Sequence, residues 1–194
     1  HNVIFASGAS SGSGNANSFV DGNIRKLNFT SAFTFPSGDV NTRDIGAGNQ
    51  TYKIWAPFVA NPVAATNVDV EYMFSNQGLN PWWYHDWTHE FPLTHTSDRE
   101  YWKVNSGENL NVTLYWKNND PCSIHDFTIA YWEGIWKDAG GSASTNYENG
   151  SISSGTTIPF GAKSETQITF GGKDEEIPLP VELLDFTAYC QNDN

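Results

Sequence analysis

The sequence predicts an all-β protein, an antiparallel β-sandwich of about ten strands, immunoglobulin-like or jelly-roll-like in its arrangement. Three observations lead there. Apolar residues alternate with polar ones at period two, the repeat of a strand buried on one face. Asn, Ser, Thr and Gly are abundant while Leu is sparse and there is a single Met, a balance that suits strands and turns rather than helices. The apolar segments are short and broken by turn residues, with no amphipathic helix between them.

Along the chain, the stretch 6–18 ("ASGASSGSGNANS") is small, polar and Gly/Ser-rich, which reads as a flexible loop. "YKIWAPF" (52–58) reads as a strand. "NVDVEYMF" (67–74) places Val68, Val70, Tyr72 and Phe74 on one face and Asp69 and Glu71 on the other. The stretch 76–98 is long, aromatic and strand-poor. "REYWKV" (99–104) is again a strand. "NLNVTLYW" (109–116) turns Leu110, Val112, Leu114 and Trp116 inward, with Asn111 and Thr113 outward. "DFTIAYW" (126–132) begins a hairpin whose turn is Glu133-Gly134. Asn149-Gly150 marks a second hairpin turn, and "ETQITF" (165–170) is a further strand. Residues 1–178 form the sandwich domain. After the acidic, proline-containing linker "GGKDEEIPLP" (171–180), the stretch 179–194 holds a last strand, "VELLDFTAY" (181–189).

That last strand is apolar on both faces, with Val181 and Leu183 on one side and Leu184, Phe186 and Ala188 on the other. Burying Leu183, Leu184 and Phe186 contributes roughly 5–9 kcal/mol. Ordering the backbone costs about 1–2 kcal/mol for each of its residues, so side-chain burial alone does not hold it. It needs a ladder of backbone hydrogen bonds to a sheet edge, either its own or a neighbour's.

Charge and composition exclude several classes. Lys and Arg number 10 against 22 Asp and Glu, a formal net charge of −12. That opposes a nucleic-acid or anionic-membrane surface, which requires a basic footprint. Hydrophobic residues make up 38% and aromatics 14%, including eight Trp, enough apolar area to build a core. There is no apolar run of about 18 residues to span a membrane. The composition points to an extracellular protein, and the opening "HNVIFAS", without Met, reads as a mature or excised form. Cys122 and Cys190 are the two cysteines, and their separation has neither zinc-finger nor redox spacing. They are either two buried thiols or, in a secreted protein, one disulfide. The disulfide would close a loop of roughly 70 residues, worth about 4 kcal/mol on the chain-entropy model.

Candidate chemistry is thin. His85, His89 and Glu90 in "HDWTHE" offer two histidines at i, i+4 with a carboxylate, and His95 and His125 are further imidazoles. The order is not His-Glu-x-x-His, and the flanking Pro and Trp residues oppose a helix, so ordinary polar loop residues are the better reading and no metal is assigned. Ser10 sits in a Gly-x-Ser-x-Gly string followed by more Ser, Gly and Asn, without the strand and helix of a nucleophile elbow. Asp86, Glu90 and Glu100 are acids of the kind glycosidases pair, but no spacing brings them together. No catalytic residue and no cofactor are assigned. The cluster Trp82, Trp83, Tyr84 and Trp87 is the most unusual local feature. It is a sugar-stacking platform, an interface patch rich in hot-spot residues, or a small core beneath a long loop.

The chain also carries an ordered set of strings: "SFVDGNIRKLNFTSAFTFPSGD" (18–39), "HTSDREYWKV" (95–104), "NVTLYW" (111–116), "FTIAYWEGIWKDAG" (127–140), "ITFGG" (168–172) and "LPVELLDFTA" (179–188). Over residues 3–188 this order resembles the passenger module that precedes the C-terminal sorting domain in cargo of the type IX secretion system of Bacteroidota. "LPVELLDFTA" resembles the junction into that sorting domain. The domain itself does not follow in this chain, as its removal at the cell surface would imply. The aromatic insert at 80–92 is richer than the family pattern. The resemblance implies a secreted or cell-surface, non-enzymatic protein of structural or adhesive type, a subunit of a surface fibre or adhesin. Its partners would be copies of itself joined head to tail by strand addition, other surface proteins or polysaccharide. The alternative is a carbohydrate-binding module that uses the aromatic loop.

Overall fold

A computed structural model describes residues 2–44, 49–74, 89–97, 100–117, 127–143, 149–160 and 165–173. Among these residues there is no helix, and sixteen strands follow in chain order. They are β1 (Asn2–Phe5), β2 (Val20–Asp21), β3 (Asn23–Phe29), β4 (Phe33–Phe35), β5 (Ser37–Asp44), β6 (Asn49–Trp55), β7 (Phe58–Pro62) and β8 (Thr66–Phe74). There follow β9 (His95–Thr96), β10 (Glu100–Ser106), β11 (Leu110–Lys117), β12 (Phe127–Trp132), β13 (Trp136–Gly140), β14 (Ser142–Ala143), β15 (Asn149–Ser153) and β16 (Glu165–Gly172). The count exceeds the predicted ten because several strands are two- or three-residue pieces too short to show a period.

The strands form three sheets packed as a sandwich. The large sheet runs β1-β3-β8-β10-β16-β12-β13, with β9 also on β16. The second runs β14-β15-β11-β7-β4, and the third is β2-β5-β6. Pairing is antiparallel except for β1 on β3 and β2 on β5, which are parallel. The core lies between the large and second sheets. The large sheet contributes Ile24, Val68, Val70, Tyr72, Trp102, Val104, Ile129, Ile168 and Phe170, and the second Phe33, Phe35, Phe58, Ala60, Leu110, Val112, Leu114 and Ile152. Area removal at this scale is the dominant favourable term in folding.

The alternation read in the sequence holds in both segments. Val68, Val70 and Tyr72 of β8 are buried and Phe74 packs half-buried against the same core. Leu110, Val112, Leu114 and Trp116 of β11 are buried from the other layer. Leu114 is fully buried, so Leu114→Ala should lower stability by about 2–5 kcal/mol in urea unfolding. No change would mean that β11 presents its other face to the core.

Trp102 sits at the centre. Its ring lies 5.1 Å from Tyr72, 5.4 Å from Phe170 and 6.3 Å from Phe58, centroid to centroid. Its Nε1 donates to the Ala56 carbonyl at 3.1 Å, so the one polar atom of the indole is satisfied where burial demands it.

Two sequence readings are corrected. The stretch 52–58 is not one strand. β6 ends at Trp55, Ala56-Pro57 intervene, and β7 begins at Phe58 in a different sheet; Pro57 has no N–H to continue a ladder. Asn149-Gly150 is not a hairpin turn, because both residues lie in β15 opposite Lys117 and Trp116. Glycine is required there by packing: a Cβ on Gly150 would lie 2.1 Å from Cζ2 of Trp116. The Glu133-Gly134 turn is present, with Gly134 at φ +84° between Trp132 and Trp136, which stand opposite one another.

The Gly/Ser stretch 6–18 is fastened at several points. Asn15 and Ser18 exchange backbone bonds, and the Trp55 Nε1 donates to the Ser13 carbonyl at 2.7 Å. The strongest tie comes from β3. Lys26 takes an inward position and is 2% exposed. Its ammonium donates to the carbonyls of Ser7 and Ala9, both at 2.8 Å, and to that of Ala6. It also lies 5.0 Å from the Phe33 ring centroid, a favourable cation–π position.

Candidate functional site

The outward positions of four neighbouring strands in the large sheet converge on a polar depression of about 230 Å³. β3 supplies Asn23 and Arg25, β8 Asp69 and Glu71, β10 Lys103 and Asn105, and β16 Glu165. Strand periodicity places them there, since each is one step from a buried residue such as Ile24, Val70 or Val104. Arg25 grips Asp69 through two bonds, Nε to Oδ1 at 2.7 Å and the terminal nitrogen to Oδ2 at 2.8 Å, and Asn23 donates to the same carboxylate at 3.2 Å. Asp69 raises the Arg25 pKa above its ordinary value. Lys103 stands opposite Glu71 in the ladder, yet its ammonium lies 3.3 Å from Glu165. The surface is a lattice of donors and acceptors, two cations among three carboxylates. It can hydrogen-bond a polar ligand and contains no nucleophile–base pair.

At the other end of the same sheet face, the close of the aromatic stretch is packed down. Leu93 is buried against Ala130 and Trp136, with Trp132 alongside. A Cβ on Gly171 would lie 2.8 Å from Leu93, so the absence of a side chain there lets the segment settle onto β16. Glu90 N–H donates to the Trp136 carbonyl at 2.9 Å, and Thr94 N–H to that of Gly172 at 2.9 Å. The described part of the stretch thus forms a small second core. Phe91, before the cis bond to Pro92, is 84% exposed.

A third polar node ties β12, β13 and the end of β16. The Asp138 carboxylate accepts from Gly140 N–H at 2.7 Å, from the Lys173 ammonium at 2.6 Å and from the Thr128 hydroxyl. Burial pushes the Asp138 pKa up, but these donors together hold it below the ordinary carboxylate value.

Asp39 of β5 accepts a bond from Phe74 N–H at 3.1 Å, where the aromatic stretch leaves β8. Burial, then the nearby Asp21 and Glu71 carboxylates, raise its pKa above 3.8 despite bonds from the Phe74 and Val40 amides. A raised folded-state pKa means that the folded chain binds the proton more tightly. The Asp39 contribution is therefore most favourable below pH 3.8 and is lost as pH rises through the raised value. Asp39→Asn keeps an acceptor for Phe74 and should be more stable than the parent at pH 7. Thermal melts should show that gap closing as the buffer is acidified.

Of the residues singled out in the sequence, His89 and Glu90 are described. The His89 ring meets the Thr96 hydroxyl at 3.4 Å, and Glu90 lies 3.7 Å from Lys137. His95 pairs with the Thr94 hydroxyl at 3.1 Å. Among the described residues no group of three or more His, Cys, Asp or Glu could hold a metal ion. Ser10 is exposed in a loop that does not lead into a helix. Glu100 is buried, its carboxylate accepting the Tyr72 hydroxyl at 2.5 Å, and so belongs to the interior. Trp82, Trp83, Tyr84, His85, Asp86, Trp87, Cys122, His125, Val181, Leu183, Leu184, Phe186 and Cys190 lie outside the described residues. The polar depression escapes sequence reading: Asp69 and Glu71 are legible as outward residues, but their neighbours come from three other strands. The chain matches no known protein family, no curated protein and no solved structure.

Proposed function

We propose that the protein is a non-enzymatic, extracellular structural or adhesive module exported by type IX secretion, a subunit of a surface fibre or adhesin. The observation that carries this reading is a two-layer core with four of its surface cations paired to carboxylates on neighbouring strands or turns. Arg25 holds Asp69, Lys103 Glu165, Lys137 Glu133 and Lys173 Asp138. A continuous core between two sheets, rather than these exposed pairs, suits a structural building block. The ordered strings of the sequence, ending in "LPVELLDFTA", support export and surface attachment. In this reading "VELLDFTAY" pairs as a strand with a sheet edge of another copy. A heterologous contact that does not close propagates into a fibre.

Negative-stain microscopy of the native material should show linear assemblies, and a chain lacking residues 179–194 should sediment as a monomer. A deletion variant that keeps the parent's oligomeric state would end the strand-addition reading. Secretion also predicts that Cys122 and Cys190 are joined; with a donated strand the bond crosses from one copy to the next, whereas a bond within one copy would pin the strand's end to its own domain and favour self-pairing. Alkylation and mass spectrometry of unreduced protein should find no free thiol, and two labelled cysteines would refute the bond.

A carbohydrate-binding role is the second reading, favoured by the polar depression. Its amides and carboxylates suit sugar hydroxyls, and its volume of about 230 Å³ lies below the roughly 300–1,000 Å³ that holds a drug-sized ligand, the scale of one unit of a polymer. Pull-down on insoluble polysaccharides, lost in Glu71→Ala with Asn105→Ala, would support it. Equal retention of the parent and this double variant would remove the depression from consideration.

A further inference from the structure

The fold contains several sheet edges, and they are not equivalent. An edge strand offers unpaired N–H and C=O groups to any incoming chain, and proteins blunt such edges by shortening or covering them. At the ends of the large and second sheets, β1 has four residues, β4 three and β14 two. β13 is met by other chain: its Trp136 carbonyl accepts Glu90 N–H, and its Ala139 carbonyl accepts Gly155 and Thr156 N–H, each at 2.9 Å.

β6 differs. It runs for seven residues and has β5 as its one sheet neighbour among the described residues. β5 in turn meets β2 only at Val20 opposite Ser37 and Asp21 opposite Gly38. The two strands are largely a two-stranded ribbon, which by itself is marginal in water. The direction of its backbone groups follows from the ladder. Ala56 N–H donates to the Ser37 carbonyl at 3.0 Å, so that opposed pair is a bonded one. Bonded and non-bonded pairs alternate in an antiparallel ladder. With Gly38 opposite Trp55, Asp39 opposite Ile54 and Val40 opposite Lys53, Ile54 bonds back to β5. The N–H and C=O of Lys53 point away from it.

We infer that the outer edge of β6, at Lys53, accepts the segment "VELLDFTAY" (181–189) of a second copy of this chain. The inference rests on the strand-addition reading above and names the acceptor that reading leaves open. The segment has nine residues for a seven-residue edge. It carries Glu182 and Asp185, and the edge presents the exposed Lys53. It needs a backbone ladder because its side chains alone do not offset the cost of ordering it. β6 is the longest terminal strand among the described residues that can supply one.

The test uses the full chain. Equal amounts of unlabelled and nitrogen-15-labelled protein are mixed, assembled and treated with a zero-length carbodiimide, which joins an amine to a carboxylate. Mass spectrometry should find Lys53 linked to Glu182 or Asp185 across differently labelled copies. Lys53→Pro removes the outward N–H and should weaken assembly at least tenfold. Lys53→Ala keeps that N–H and should assemble like the parent. Links found only within one copy, or a Lys53→Pro chain that assembles normally, would overturn the assignment. Should Lys53→Pro melt below Lys53→Ala, the cross-link pattern in the parent decides alone. If the chain lacking 179–194 still assembles, strand addition itself fails; if that deletion dissolves the assembly and Lys53→Pro does not, only β6 is wrong.

Discussion

Trp102→Ala should cost about 3–5 kcal/mol, the range for truncating a buried large aromatic. Trp102 is fully buried and touches rings from both layers, Tyr72 and Phe170 on its own sheet and Phe58 on the facing one. The substitution empties the centre of the interlayer core and removes the indole N–H from the Ala56 carbonyl. That carbonyl keeps the Ser37 hydroxyl at 2.6 Å, so the loss is mainly one of packing. Against a total stability of about 5–15 kcal/mol for an ordinary domain, the variant sits near the folding threshold. Urea unfolding followed by near-ultraviolet circular dichroism measures it. Trp102→Phe should fall between parent and Ala. A Trp102→Ala midpoint within error of the parent would show that the cavity collapses without cost.

Lys26→Met should cost about 2–4 kcal/mol, because hydrogen bonds from a charged donor each contribute about 1.5–3 kcal/mol and part of the loss is recovered by removing a buried charge. Met keeps the apolar stem against Phe33 but donates nothing to Ala6, Ser7 and Ala9. All three acceptors come from residues directly after β1, so the loss is local as well as global. Hydrogen exchange should accelerate first in the amides of β1 and the 6–18 loop, ahead of β8 and β10. Lys26→Arg should retain part of the stability, since the cation remains while its planar fork fits three converging carbonyls less well. Unchanged exchange in β1 would show that the ammonium does not hold the N-terminal strand.

The ease with which each element can be read in the sequence depends on what its inward face holds. β8 and β11 alternate apart from Met73 and Tyr115 on their outer faces, and their buried faces follow directly from Val68, Val70, Leu110, Val112 and Leu114. β3 hides because Lys26 occupies a core position, where a period-two reading expects an apolar residue. β15 misleads because Asn149-Gly150 matches the most common hairpin turn, while its glycine answers instead to the Trp116 ring on β11. The second small core is invisible for a similar reason: Leu93 is one apolar residue in a long polar and aromatic stretch, and its partners Ala130 and Trp136 are far along the chain. The polar depression is the least legible of all. Arg25 and Asp69 are 44 residues apart, and only the sheet order brings them together.

The position of β16 has a mechanical consequence. β16 lies inside the large sheet, laddered to β10 on one side and to β12 on the other, and Lys173, the residue after it, is fastened to Asp138 on β13. Tension applied at the end of β16 therefore enters the middle of the sheet rather than an edge. It loads two hydrogen-bond ladders at once, along the strand, so that the bonds share the force in shear instead of opening one after another. A pull at the opposite end enters through β1, four residues long and paired on one side, where the Lys26 ammonium and its carbonyl partners bear the load. Of the two strands, β1 would yield first and the interior β16 last.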